Sequence, residues 1–277
     1  MTIRFTKMHG LGNDFMVIDA VNQKINLPAT KIAELAKRDT GIGFDQCLII
    51  EPSKNKDIDF FYRIFNADGQ EVGQCGNGAR CLARFLSHYG LTQQKIISVA
   101  TMSTQMRLEI NPDDTVTVDM GYPNLNPADI PLLVQERSSL YELTLADGSS
   151  HLIHALSVGN PHAVSLVDNV DIMDVPHLGK EISEHRLFPE QTNAGFMQLM
   201  DKHHIRLRVY ERGCGETKAC GSGAVAAAAV GRLYYQLHPE IEVSLSGGKL
   251  IVHWPDMEGP IYLKGPATFV YEGVLMS

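Results

Sequence analysis

The sequence predicts a mixed α/β (α+β) fold of two halves of similar build, with sheet wrapped around the helix of the second. Three observations carry this prediction. Cys75-Gly76-Asn77-Gly78-Ala79 returns 145 residues later as Cys220-Gly221-Ser222-Gly223-Ala224. Asn13, in Gly12-Asn13-Asp14-Phe15-Met16-Val17-Ile18-Asp19, precedes Cys75 by 62 residues, and Asn160, in a similar setting, precedes Cys220 by 60. Motifs repeating in the same order at similar spacing mark an internal duplication. Finally, each cysteine opens a stretch with helical spacing. The second stretch, with Ala226, Ala227, Ala228 and Ala229 among valines, is apolar nearly all round and has to be enclosed.

The elements follow in order. Strands are expected over 3–8 and 14–19, with a glycine turn at Gly10 and Gly12 between them. A helix is expected over 28–39, because Pro28 suits a first turn, Ile32, Leu35 and Ala36 form an apolar stripe, and Gly41 ends it. Segments 46–50 and 58–65 are rich in β-branched and aromatic residues and read as strands. Ala79, Leu82, Ala83, Leu86 and Tyr89 place a helix over 76–88, stopped by Gly90. Its Arg80, Arg84 and His88 suggest a helix less enclosed than its counterpart. Strands are expected over 95–101, 105–110 and 115–120. Residues 121–131, with Pro123, Pro127 and Pro131, form the best linker candidate. The plan then repeats: strands over 151–157 and 163–167, a helix over 175–185 with Pro176 in its first turn, strands over 195–200 and 205–210, and a helix over 221–236. Strands over 241–245, 249–254, 261–264 and 268–271 complete the chain.

With 277 residues, 44% of them hydrophobic, the chain can bury a sizeable core. Length allows one or two domains, and the repeat decides for two. A net charge of −8 argues against a nucleic-acid partner, which needs a basic face. The first residues hold no apolar run of signal-peptide length, and the most apolar run, 224–230, is too short to span a bilayer. A cytoplasmic protein without a membrane partner is the expectation. In that compartment Cys47, Cys75, Cys81, Cys214 and Cys220 do not read as a disulfide framework.

A thiol at a helix start meets backbone N–H groups and the positive end of the helix dipole, which favour thiolate. Removing a proton from a carbon beside a carboxylate requires a base and stabilisation of the developing charge. Inverting that carbon requires a second group that protonates the opposite face. A thiolate and a thiol fill both roles and exchange them in reverse. The N–H groups at Gly76-Asn77 and Gly221-Ser222 suit a carboxylate. Other readings remain. Both C-x5-C pairs, Cys75/Cys81 and Cys214/Cys220, invite zinc, although the spacing is long and no paired histidines follow. Cys47 reads as a buried small hydrophobe. A cysteine hydrolase with His9 or His162 as base leaves the second copy unexplained. A binding module without chemistry would use the same helix ends. Asn13, Gln46, Asn66, Asn77, Asn160 and Asn193 lie beside turns or strand ends, either as turn formers or as ligands. Glu211-Arg212 reads as a surface ion pair or as a carboxylate fork. No glycine-rich loop has nucleotide-binding spacing, and no lysine stands out as a pyridoxal phosphate anchor, so a cofactor-free reaction is expected.

At these residues the sequence resembles the diaminopimelate epimerase family. The matching stretches are His9-Gly-Leu-Gly-Asn-Asp-Phe15, Gly41-Ile-Gly-Phe-Asp-Gln46, Phe65-Asn-Ala-Asp-Gly69, Gln74-Cys-Gly-Asn-Gly-Ala-Arg80, Gly159-Asn-Pro-His162 and Tyr210-Glu-Arg-Gly-Cys-Gly-Glu-Thr-Lys-Ala-Cys-Gly-Ser-Gly-Ala224. The resemblance implies two pseudo-symmetric domains, each a curved, mostly antiparallel sheet or barrel around a central helix, with the site in the cleft between them. The halves would be 1–121 with 266–277, carrying Cys75, and 122–265, carrying Cys220; the last strand returns to the first half. The implied reaction is cofactor-independent and metal-free. It interconverts LL- and meso-2,6-diaminopimelate in lysine and peptidoglycan precursor synthesis, and the enzyme is a homodimer.

By the same resemblance Cys75 and Cys220 are the acid/base pair, donor and acceptor respectively in the LL-to-meso direction. His162 and Glu211 match positions thought to poise the thiols. Asn13, Gln46, Asn66, Gly76, Asn77, Asn160, Asn193, Glu211, Arg212, Gly221 and Ser222 match substrate contacts, and Tyr271 matches a dimerisation residue. A proline or hydroxyproline racemase is the alternative. Two departures stand out: Ala194-Gly195 replaces a bulkier or more polar pair, and Cys214 replaces a small apolar residue.

Overall fold

Each half makes a tight turn through a glycine at positive φ, Gly12 at 90° and Gly159 at 95°. A β-carbon is strained in that region and glycine is not, so each turn delivers the next asparagine to the head of a strand. The structure is a computed structural model that describes residues 2–73 and 75–276. Gln74, part of the first cysteine motif, lies outside the described residues. The chain divides into two compact units, Met1–Val118 with Gly265–Ser277, and Asp119–Lys264.

In the first unit β1 (Ile3–Gly10) and β2 (Asn13–Asp19) form the hairpin. Helix α1 (Ala29–Ala36) crosses to β3 (Gln46–Pro52), parallel to β2. β4 (Phe60–Asn66) returns antiparallel and carries the short β5 (Glu71–Val72). Helix α2 (Gly76–His88) leads to β6 (Ile96–Ala100), parallel to β4, and β7 (Gln105–Ile110) and β8 (Val116–Asp119) follow as a meander.

The second unit repeats this plan. β9 (Tyr141–Thr144) pairs with β10 (Ser150–Ser157), and β10 with β11 (Pro161–Leu166). Helix α3 (Val175–Ser183) crosses to β12 (Asn193–Leu199), parallel to β11. β13 (His204–Glu211) returns with β14 (Gly215–Thr217) on its end. Helix α4 (Gly221–Tyr234) leads to β15 (Glu240–Leu245), parallel to β13, then β16 (Gly248–His253) and β17 (Tyr262–Gly265). The last strand, β18 (Thr268–Leu275), pairs with β1, the place that β9 takes beside β10.

Each sheet packs on its own long helix. Helix α4 buries Gly223 through Gly231 without a break, so its alanines let strands approach from several sides. Helix α2 was expected to be less enclosed, and here the structure differs. Arg80 is fully buried alongside Ala79, Cys81, Leu82, Ala83, Phe85 and Leu86. Each large apolar side chain among these contributes roughly 1.5 to 3 kcal/mol.

Helix α1 ends earlier than expected, because the chain folds back and Ile42 and Gly43 donate to the Leu35 carbonyl at 2.8 and 3.0 Å. β18 runs four residues past the expected Tyr271, held throughout by β1. Strands β5, β9 and β14 were not anticipated. The expected linker is pinned to β10, where the Asn124 and Ser157 backbones exchange two 2.8 Å hydrogen bonds. Among the described residues no helix is long and apolar enough to cross a membrane.

Helix α3 lies so close to β13 that a β-carbon on Gly179 would stand 2.4 Å from the Tyr210 β-carbon. Alanine gains about 1 kcal/mol of helix propensity over glycine, but overpacking a rigid contact costs about 1 to 3 kcal/mol. Gly179→Ala is therefore expected to lower the unfolding free energy in urea. A midpoint unchanged or raised would contradict this close approach.

Candidate active site

Strand direction assembles the polar set of the first unit. β2 and β3 run parallel, so Asn13 and Gln46 stand at the heads of neighbouring strands. β4 runs back and ends there, with Asn66 opposite Gln46. The Gln46 Nε2 donates to Asn66 Oδ1 at 2.9 Å, which leaves the buried Gln46 Oε1 without a partner among the described residues.

Asn13 Nδ2 donates to Asp45 Oδ2 at 3.0 Å, so its Oδ1 faces the helix. There it accepts from Asn77 Nδ2 at 3.3 Å, with the Cys75 Sγ 3.8 Å away. Cys75 is the N-cap of α2, and its Sγ accepts the Gly78 N–H at 3.4 Å. Behind Asn13 lies a charged cluster that spacing did not reveal. Arg38 forks onto both Asp14 oxygens at 2.9 and 3.0 Å and reaches Asp45 at 2.7 Å, while buried Lys7 pairs with Asp14. Burial opposes ionisation of Asp14, but the Arg38 and Lys7 hydrogen bonds outweigh it and hold the carboxyl well below its usual range.

The second unit builds a matching edge. Parallel β11 and β12 set His162 opposite Asn193, and β13 ends at Glu211. Cys220 caps α4, its Sγ accepting the Gly223 N–H at 3.4 Å and lying 3.6 Å from Ser222 Oγ. Asn160 Nδ2 donates to Ser222 at 3.3 Å, and His162 Nε2 meets Asn160 Oδ1 at 3.1 Å. Asn193 donates to the Pro161 carbonyl at 2.9 Å and accepts the Arg212 N–H at 3.0 Å.

Glu211 and Arg212 do not pair with each other. Glu211 turns inward, where Thr217 donates to it and Cys220 lies against it, while the Arg212 guanidinium donates to the Glu190 carbonyl. Burial, and then Glu211, push the Cys220 thiol up, and burial raises the Glu211 carboxyl. Burial, and then Arg212, push His162 down to about 3, so the imidazole is neutral at neutral pH and donates its Nε2–H to Asn160.

A glutamate stands four residues before each cysteine, Glu71 before Cys75 and Glu216 before Cys220. Glu71 pairs with Arg63 at 2.6 Å and Glu216 with Arg208 at 2.7 Å, so each locks the short hairpin that feeds a helix start. Cys47 and Cys81 are fully buried, and burial pushes both thiols up. Cys214 is exposed on the turn after Glu211. Among the described residues the cysteines form no disulfide, and no three His, Cys, Asp or Glu side chains gather to hold a metal ion.

The third helical residue is glycine in both copies. At Gly223 a β-carbon would stand 3.0 Å from Val209 Cγ2 and 3.3 Å from the Cys220 Sγ. Gly223→Ala is expected to displace the thiol and lower turnover roughly 10- to 100-fold in a folded protein. Steady-state rates beside a circular dichroism spectrum check this, and wild-type turnover would contradict it.

The class follows from the fold. It is a duplicated α/β fold shared with solved structures of a PhzF-family phenazine biosynthesis protein from Bacillus anthracis (17% identical, TM-score 0.70, all of both chains) and of a hydroxyproline epimerase from Agrobacterium vitis (12% identical, TM-score 0.71, 99% of this chain and 92% of that one). A family model described as diaminopimelate epimerase matches residues 5–126 and 154–270. Diaminopimelate epimerases of Legionella pneumophila strains Corby and Paris are each 60% identical to this chain over all 277 residues and their own full length. The chain belongs to the diaminopimelate epimerase family.

Proposed function

We propose that this chain interconverts LL- and meso-2,6-diaminopimelate by moving a proton at one α-carbon between Cys75 and Cys220. The observation that carries the reading is the matched pair of helix caps: each unit presents a cysteine whose thiol accepts the N–H of the third residue after it. One thiolate takes the α-proton on one face and the other thiol supplies a proton on the opposite face, so thiol and thiolate exchange places in one turnover. The N–H groups of Gly76, Asn77, Gly221 and Ser222 hold the carboxylate beside the reacting carbon and take up charge as it develops there.

Asn13, Gln46, Asn66, Asn160, Asn193, Glu211 and Arg212 recognise the rest of a doubly zwitterionic substrate. The partnerless Gln46 Oε1 suits an ammonium group, which would satisfy a buried acceptor. Arg212 suits the distal carboxylate. Neutral His162 orients Asn160, and burial with Glu211 raises the Cys220 thiol, which keeps it protonated where it is the donor, in the meso-to-LL direction. No pyridoxal phosphate or metal enters this scheme. The working form is a cytoplasmic homodimer, with half-exposed Tyr271 on β18 at its interface.

The test is to incubate the purified protein with LL-diaminopimelate, without added cofactor or metal, and to separate the isomers chromatographically. Appearance of the meso isomer is expected. No conversion of diaminopimelate, with racemisation of proline instead, would overturn the substrate assignment.

A further inference from the structure

The two helix starts are alike in their caps and unlike behind them. Five residues after Cys75 stands Arg80; five residues after Cys220 stands Val225. Arg80 has 0% exposure, and its guanidinium donates only to neutral oxygens: Asn77 Oδ1 at 2.7 Å, the Pro266 carbonyl at 3.2 Å and the Gly76 carbonyl at 3.4 Å. Space for it is made by Gly10, where a β-carbon would stand 3.2 Å from the Arg80 Nη2. Among the described residues no carboxylate lies against it; burial disfavours its charge, and the ionisable groups that favour it are the Cys81 and then the Cys75 thiol. A guanidinium stays charged in a protein, and a buried charge is costly without a counter-charge.

Of the groups around it, Cys81 is sealed in the core, and burial pushes its thiol up. Tyr62, facing Cys75 from β4, is likewise fully buried, and its phenol is raised by burial and by Cys75. Cys75 differs from both. It is partly exposed and sits at the helix N-terminus, where the Gly78 N–H already points at its sulfur. Cys220 has the opposite surroundings: 3% exposure, an apolar helix behind it and the Glu211 carboxylate against it.

We propose that Arg80 is a positioning residue that fixes the Asn77 amide and supplies the positive charge balanced by a Cys75 thiolate, so that Cys75 is the resting base and Cys220 the resting acid. This rests on the two-thiol reading above and adds an asymmetry that the duplicated motif does not contain. Turnover from rest moves the α-proton to the Cys75 thiolate and the Cys220 proton to the carbon, which is the meso-to-LL direction of the donor and acceptor roles that the family resemblance gives the two cysteines. The enzyme then carries its proton on Cys75 and a thiolate on Cys220, and proton exchange with solvent restores the resting form.

The test is a pH titration of the full-length protein labelled with 13C at the cysteine β-carbons, whose NMR shifts report thiol or thiolate directly. Cys75 and Cys220 signals are assigned by serine substitution. In the unsubstituted protein Cys75 is expected to titrate below Cys220. Arg80→Met is expected to move the Cys75 midpoint up by about 1 to 3 pH units and leave that of Cys220 in place, and Arg80→Lys to retain most of the low midpoint. A Cys75 midpoint at or above that of Cys220 in the unsubstituted protein would overturn the proposal, even if Arg80→Met does not fold. So would a folded Arg80→Met variant with an unmoved Cys75 midpoint, since a purely structural arginine would change rates but not this titration. No substrate is present, so the result is independent of whether diaminopimelate is the substrate.

Discussion

Replacing Cys75 or Cys220 with alanine is expected to lower epimerisation roughly 10⁴-fold, the upper range for removing a general acid or base. Neither neighbouring side chain replaces a lost thiol. His162 is neutral and committed to Asn160, and Glu211 is engaged by Thr217. The folded state survives the change, because Cys220 loses one sulfur from a helix cap whose backbone bonds remain and Cys75 is partly exposed. Each single variant keeps one thiol, so each still exchanges the α-proton with solvent for the isomer whose hydrogen faces the remaining sulfur, without inverting it. Rates of inversion and of exchange, measured side by side by proton NMR in D2O, check the prediction. Inversion at the wild-type rate in either variant contradicts the two-thiol scheme.

The second large effect is a loss of stability in acid. His162 is pushed down to about 3 in the folded protein, against about 6.5 in an unfolded chain. A lowered histidine pKa means that the unfolded state binds the extra proton between those values. Stability is therefore fully present above about pH 6.5 and falls as the pH drops, reaching a loss of roughly 4 to 5 kcal/mol near pH 3. His151 and His154, also lowered by burial, act in the same sense. Asp14 adds to it lower down, since a depressed carboxylate contributes stability that is lost as pH falls below about 3.9. Glu211 works in the opposite sense, because a raised carboxyl takes up its proton earlier in the folded state. His162→Gln isolates the histidine's share and retains an N–H for Asn160. Urea unfolding from pH 7 to pH 4 is expected to show a shallower decline in this variant. Equal slopes for the two proteins would show that His162 is not held neutral by the fold.

Much of this architecture is legible from residue pattern. Helix α2 runs over the very residues its apolar spacing indicates, because a capping cysteine at one end and Gly90 at the other bound it cleanly. The asparagines were legible as a set because glycine turns and strand ends place them. The edge they share within each unit was not, since it depends on which strands run parallel.

Arg80 was misread for an instructive reason. A charge in a helical pattern is ordinarily assigned to solvent, but its acceptors include the Pro266 carbonyl, 186 residues away in the chain. The Lys7–Asp14–Arg38–Asp45 cluster was hidden in the same way, since its members come from β1, β2 and the loop after α1. Strands β5 and β14 are too short for any periodicity. Glu71 and Glu216 each stand four residues before a cysteine, and each is satisfied by an arginine eight residues earlier.

The most direct measurement is the early distribution of deuterium when LL-diaminopimelate reacts in D2O, followed by mass spectrometry of the separated isomers. Two thiols acting on opposite faces predict that the first meso product carries one solvent deuteron at the inverted centre while recovered LL substrate remains protiated. Deuterium entering the LL substrate as fast as the meso product, or meso product formed with its original proton, would show a single base working on both faces and would contradict the account.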